Sequence, residues 1–363
     1  MNATQTLHQL GQSLWLDNIT RPLLDDGTLV RYIRDFAITG LTSNPTIFEH
    51  AIGNSEAYDE AIRRKASAGK SGEALFFELA LEDLTRAADL LRSIFDATGG
   101  VDGWVSLEVS PLLAHDAART IAAAADLHVR AARANLFIKI PGTPEGLAAI
   151  EASIFAGVPI NVTLLFSRAQ YQAAAEAYLR GIERRIGAGL DPKVGSVASL
   201  FVSRWDVAAN KTLPQRLNNR LGIAVATQTW RAYRELLASP RWHQMAAAGA
   251  QAQRLLWAST GTKDPEAPDT LYVEQLAAPD TINTLPEKTL LAFAEHGQVR
   301  QSLGTESGDA EAVIANCRQQ GIAVDALATQ LQREGADAFA ASWRAMLDNI
   351  TAKTRMLASA DVP

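Results

Sequence analysis

The chain has 363 residues, 47% of them hydrophobic and 20% charged, an ordinary balance for a globular protein that can bury a large core. Its formal net charge of -6 gives no global attraction to nucleic acid or to anionic membrane, so any anionic ligand must be held by local cations. Cys317 is the only cysteine, which excludes an intrachain disulfide and a cysteine-built metal site and fits a reducing, cytoplasmic compartment.

Residues 1–12 lack a basic segment followed by an apolar stretch, so no secretory signal is expected. No run approaches the roughly 18 apolar residues needed to span a bilayer. Strand-like runs begin at 13–18 and recur at 37–44, 103–110, 136–141, 159–166, 194–201, 254–260 and 270–275. Most gaps between them carry Ala-rich sequence of helical period, as at 73–86 and 168–179. Strands alternating with helices imply a parallel sheet, and eight such units favour a closed (β/α)8 TIM barrel over an open one. Chemistry is then expected at the C-terminal ends of the strands. The stretch 205–253 is too long for an ordinary crossover and reads as a helical insertion. Beyond Pro286 the pattern is wholly helical, over 287–363, with Phe339, Trp343, Met346, Leu347 and Ile350 at helical spacing. These C-terminal helices are expected to pack outside the barrel. No linker, low-complexity tract or fixed-period repeat divides the chain, so 1–363 reads as a single domain.

Lys139 interrupts the apolar fourth run, Leu136-Phe-Ile-Lys139-Ile-Pro141. Alternation places it on one face with Phe137 and Pro141, opposite Leu136, Ile138 and Ile140. A lysine amine in a partly desolvated pocket is neutral for more of the time than one in water, and a free amine attacks a carbonyl to form an imine. The alternative is a lysine at a strand terminus, snorkelling to solvent or paired with a carboxylate.

Polar groups close the neighbouring runs. Asp17 ends the first, Asn44 the second, and Glu108 lies late in the third. Asn161 and Thr163 share a face of the fifth, away from Val162 and Leu164, and Ser199 and Phe201 share one of the sixth. Ser259 ends the seventh. Each has a structural alternative: Asn44 and Asp17 as helix caps, Glu108 as an ion-pair partner of Lys139, Thr163 as a β-branched strand former. Their coincidence at one barrel mouth favours chemistry, since a buried lysine, two carboxylates and two amides are the groups that carbonyl chemistry requires. Arg204 and Lys263 follow the sixth and seventh strands, where barrels commonly hold phosphate. No strand is followed by G-x-G-x-x-G, no Walker loop occurs, and the six histidines are scattered, so neither a nucleotide cofactor nor a catalytic metal is expected.

Across nearly its whole length the chain resembles the transaldolase family, in particular its longer bacterial subfamily. The resemblance rests on Leu16-Asp-Asn-Ile19, Thr39-Gly-Leu-Thr-Ser-Asn-Pro-Thr46, Val105-Ser-Leu-Glu-Val-Ser-Pro111, Phe137-Ile-Lys-Ile-Pro-Gly-Thr143, Ile160-Asn-Val-Thr-Leu-Leu-Phe-Ser167 and Ser199-Leu-Phe-Val-Ser-Arg204, in family order. It implies that Lys139 forms a Schiff base with the dihydroxyacetone unit of a ketose phosphate and that Asp17 moves the proton of the C4 hydroxyl. Glu108 with Thr163 would position a water for the carbinolamine and imine steps, and Asn44 and Asn161 would hold substrate hydroxyls and the enamine. Ser199 and Phe201 would line the pocket, and Arg204 and Ser259 would contact phosphate. The second phosphate arginine of shorter transaldolases has no arginine counterpart here; Ser259-Thr-Gly-Thr-Lys263 stands in its place, which suggests Lys263 for that role.

The implied reaction exchanges dihydroxyacetone between sedoheptulose 7-phosphate plus glyceraldehyde 3-phosphate and erythrose 4-phosphate plus fructose 6-phosphate. It requires no organic cofactor, and its partners are sugar phosphates. A fructose 6-phosphate aldolase that releases free dihydroxyacetone, and a catalytically silent sugar-phosphate sensor, are the rival readings. Either a monomer or a homodimer fits the sequence, and the insertion could shield the mouth or serve an interface.

Overall fold

A computed structural model describes residues 2–299, 303 and 309–360. The parts of the predicted 287–363 helical region at 300–302, 304–308 and 361–363 lie outside the described residues, as does Met1. Eight parallel strands close into a barrel in sequence order: β1 (Ser13–Asp17), β2 (Ile38–Thr42), β3 (Trp104–Glu108), β4 (Leu136–Pro141), β5 (Ile160–Leu165), β6 (Ser196–Phe201), β7 (Arg254–Ala258) and β8 (Ile282–Leu285). Seven of the predicted runs coincide with strands.

The eighth does not. Residues 270–275 form a short helix, Leu271–Gln275, whose Tyr272 and Val273 are buried, and the closing strand is Ile282-Asn-Thr-Leu285. A six-residue run with only Leu271, Tyr272 and Val273 apolar carries too little periodicity to separate strand from helix, and the true strand is only four residues long.

Outward faces of the strands are aliphatic: Leu14, Leu41, Leu136, Ile138, Ile140 and Val162 join the core between sheet and helices. Inward residues form a second cluster that seals the lower barrel with Trp15, Trp104, Phe137, Val197, Leu256 and Ile282. Trp104 and Phe137 stack with centroids 3.9 Å apart and an interplanar angle of 15°. Trp15 fits only because position 40 is glycine: a Cβ there would lie 2.5 Å from the indole. Apolar filling below leaves the polar inward residues at the C-terminal ends of the strands, where a barrel places its chemistry.

Strand β5 departs from simple alternation. Leu164 has φ +58°, its register with β6 shifts, and its side chain joins the inner cluster while Leu165 takes the outward place beside Val162. The expectation that Leu164 shares the face of Val162 is therefore corrected, whereas Asn161 and Thr163 still point inward. The bulge is held by Gln332, whose Nε2 donates to Leu164 O and to Gly142 O, both at 2.9 Å.

Gln332 belongs to the C-terminal helix, Val324–Ala360, and this corrects a second expectation. Part of that helix does pack outside the barrel, with Trp343 against Phe76 and Phe77 at ring distances of 4.9 and 5.6 Å. Its preceding turns cross the barrel mouth and bring Phe339 into the cavity there. The 205–253 stretch is largely helical, as expected, with helices Ser203–Ala209, Leu221–Leu237 and Pro240–Ala247. The middle one packs against the helices Arg168–Gly187 and Asp309–Gln319. None of residues 205–253 lines the mouth. No helix among the described residues is long and apolar enough to cross a membrane.

Candidate active site

A cavity of about 250 Å³ opens at the C-terminal ends of the strands. Lys139 reaches it from β4 with only 5% of its surface exposed. In-register pairing sets Glu108 of β3 and Asn161 of β5 beside it. Its Nζ donates to Ser43 O at 3.1 Å and lies 3.4 Å from Glu108 Oε2, long for an ion pair. Glu108 Oε2 makes no well-directed hydrogen bond, and neither does the buried Thr163 Oγ1 in the cavity wall. Burial pushes the Glu108 carboxyl up to about 7; the Lys139 charge opposes that rise and the Asp17 charge adds to it.

Asp17 ends β1 half-buried. Burial raises its carboxyl above the ordinary range, opposed by Lys139, by a hydrogen bond from Thr42 and by Lys263. Thr42 Oγ1 donates to Asp17 Oδ1 at 2.7 Å and lies 2.6 Å from Thr284 Oγ1 of β8. With the Thr42 proton committed to the carboxylate, Thr284 is the donor in that second contact. Asp17 thus stands fixed by a short hydroxyl chain in the cavity wall.

The Asn161 amide is oriented from both ends: Ser199 Oγ donates to its Oδ1 at 2.7 Å, and its Nδ2 donates to Ser106 Oγ at 3.0 Å. With the amide in this orientation one N–H is left uncommitted among the described hydrogen bonds. Asn44 shows both of its expected faces. Its Oδ1 caps the helix Pro45–Gly53 by accepting from Ile47 N at 3.1 Å, and its side chain lines the cavity.

Cations gather at the far side. Arg204 follows β6, its Cζ 5.3 Å from the Phe201 centroid and 5.9 Å from that of Phe339. Burial pulls its guanidinium below the ordinary value, with Glu334 opposing. Ser259 follows β7 in a left-handed conformation, φ +56°, uncommon for a residue with a side chain, and its Oγ lies 2.9 Å from Ser203 Oγ. Exposed Lys263 completes this rim. An anion entering here meets a guanidinium, an ammonium and hydroxyl groups together. No group of three or more His, Cys, Asp or Glu able to hold a metal occurs among the described residues.

The family model described as Transaldolase/Fructose-6-phosphate aldolase matches residues 14–350. The chain belongs to this family. It is 43% identical over 353 residues to a transaldolase of Saccharopolyspora erythraea, covering 95% of this chain and 96% of that one. A transaldolase of Parafrankia sp. is 44% identical over 354 residues, at 95% and 96% coverage, and transaldolase 1 of Streptomyces coelicolor is 43% identical over 358 residues, at 96% and 94%.

Within this transaldolase-family barrel the residues singled out from the sequence converge. Asp17, Asn44, Lys139, Thr163, Ser199, Phe201, Arg204, Ser259 and Lys263 line the cavity, while Glu108 and Asn161 stand directly behind it against Lys139. Sequence reading missed Thr42, Thr284, Ser106, His50 and Phe339. Thr42 was legible, since it shares the inward face of β2 with Gly40. Thr284 was lost with the misplaced eighth strand, and Phe339 carries no local signal that its helix crosses the mouth.

Proposed function

We propose that the protein is a transaldolase of the pentose phosphate pathway, moving a dihydroxyacetone unit from a ketose phosphate to an aldose phosphate through a Schiff base on Lys139. The observation that carries this reading is the buried Lys139 amine facing a cavity flanked by Asp17, Glu108 and Arg204, in a chain of this family. As substrates we assign sedoheptulose 7-phosphate or fructose 6-phosphate as donor, and glyceraldehyde 3-phosphate or erythrose 4-phosphate as acceptor.

The amine adds to the ketone carbon, water leaves, and a protonated imine draws electrons from the C3–C4 bond. Asp17 takes the C4 hydroxyl proton as that bond breaks, which releases the aldose and leaves an enamine on Lys139. A second aldose then accepts the three carbons, Asp17 returns the proton to the new hydroxyl, and water adds to the resulting protonated imine so that the carbon–nitrogen bond breaks and frees the new ketose and Lys139. Glu108, half-protonated near neutral pH, serves with Thr163 in moving protons through water in the carbinolamine steps. Asn161 and Asn44 hold hydroxyls, Ser199 and Phe201 shape the pocket, and Arg204, Ser259 and Lys263 hold phosphate. In this reading 1–363 acts as one cytoplasmic domain.

Transfer should depend on acceptor. With fructose 6-phosphate alone, net turnover is expected to stop after the first half-reaction, and adding erythrose 4-phosphate should restore it, with sedoheptulose 7-phosphate as the product. Undiminished cleavage without acceptor, read by release of glyceraldehyde 3-phosphate, would identify a simple aldolase instead. Lys263→Ala should raise the Michaelis constants for both phosphosugars about fivefold, the scale of an exposed ion pair. Unchanged constants would remove Lys263 from the phosphate site.

A further inference from the structure

Phe339 comes from outside the eight strand–helix units, yet its ring forms part of the cavity wall. Lys139 Nζ lies 5.7 Å from its centroid and Arg204 Cζ 5.9 Å, so one ring neighbours both the amine and the guanidinium. Phe201 meets it edge-on at 6.5 Å. The ring is held firmly. One turn earlier, Gly335 lets the helix approach, since a Cβ there would stand 2.9 Å from Leu164 and 3.2 Å from the Arg204 guanidinium. Gln332 fastens the helix to two strand-end carbonyls, and Thr46 Oγ1 donates to Ser342 Oγ at 2.9 Å just beyond.

We propose that Phe339 is the water-excluding wall of the site and sets how the covalent intermediate divides between transfer to an acceptor and release as free dihydroxyacetone. The proposal rests on the Schiff-base reading above. Release requires a proton on the enamine carbon, giving a protonated imine, and then a water on the imine carbon. The carbon–nitrogen bond breaks, dihydroxyacetone departs as the ketone, and Lys139 leaves as the ammonium. Transfer also ends with water on an imine carbon, so the two routes part at the enamine, where release needs a water-borne proton on carbon and transfer needs the acceptor carbonyl. An aromatic face offers an approaching water no hydrogen bond, while its quadrupole favours a cationic nitrogen and the guanidinium that would hold the acceptor phosphate. One ring therefore hinders release and assists transfer.

The test measures dihydroxyacetone released per unit transferred, with fructose 6-phosphate as donor and erythrose 4-phosphate as acceptor, in the full chain. Phe339→Ala is expected to raise that ratio about tenfold, equal to 1.4 kcal/mol between the two barriers, and Phe339→Leu, still apolar, to hold it within about twofold. Should Phe339→Ala lack a cooperative melt, Phe339→Gln keeps the length and is expected to show the same rise. A folded Ala or Gln variant with the wild-type ratio overturns the proposal. Borohydride reduction of the wild type with fructose 6-phosphate separates the two levels. A Lys139 adduct with an unmoved ratio sinks only the role of Phe339, whereas no adduct sinks the Schiff base and this inference together.

Discussion

Replacing Lys139 by Met is expected to lower kcat/KM for fructose 6-phosphate by about 10⁴-fold or more while leaving the barrel folded. Four powers of ten correspond to about 5.4 kcal/mol of transition-state stabilisation, a reasonable loss when the group that accepts the electrons of the breaking bond is gone. The groups assigned to substrate hydroxyls and phosphate stay in place, so binding should survive. Methionine has a similar length and needs no partner in the space where Lys139 is 5% exposed. Removing the ammonium also removes what holds the Glu108 carboxyl down, so burial drives that acid further toward its neutral form, which needs no cation. A coupled assay beside a thermal melt checks both halves. Activity within tenfold of wild type would mean the chemistry lies elsewhere.

Glu108→Gln should lower kcat by about 10²- to 10⁴-fold, the range for loss of a positioned acid–base group. It should also remove one limb of the pH profile, the one that titrates at about 7. The carboxyl is raised from its ordinary value of 4.5, so the protonated form is favoured by folding. Its stabilising effect is present in full below the unfolded value and is lost as pH rises through about 7. Wild-type protein should accordingly lose melting temperature across that window through this group, and the glutamine variant should lose less. Profiles of kcat against pH and melts at either end of the window check the two effects. A variant that retained the limb would exclude Glu108 as its source.

How much of this was readable beforehand follows from where each signal resides. Lys139 was legible because a charge in an apolar strand is conspicuous and period-two alternation sets its face. Glu108 and Asn161 followed because neighbouring parallel strands put their C-terminal ends together. Asn44 illustrates two tasks in one side chain, a helix cap that also faces the cavity, which local capping rules alone could not separate. Leu164 was misread because its left-handed backbone is supported by Gln332, a contact 168 residues away in sequence. Thr284 was missed because its four-residue strand is too short and mixed to stand out from the helix before it. Phe339 reads as an ordinary core position of a long helix; only the packing of Gln332 and Gly335 turns it toward the amine.

The covalent bond at the Lys139 nitrogen can be caught directly. Incubation with fructose 6-phosphate, borohydride reduction, digestion and peptide mass spectrometry should place a reduced dihydroxyacetone adduct on Lys139 and on no other lysine. An unmodified Lys139 peptide, or an adduct elsewhere, would rule out Lys139 as the Schiff-base lysine.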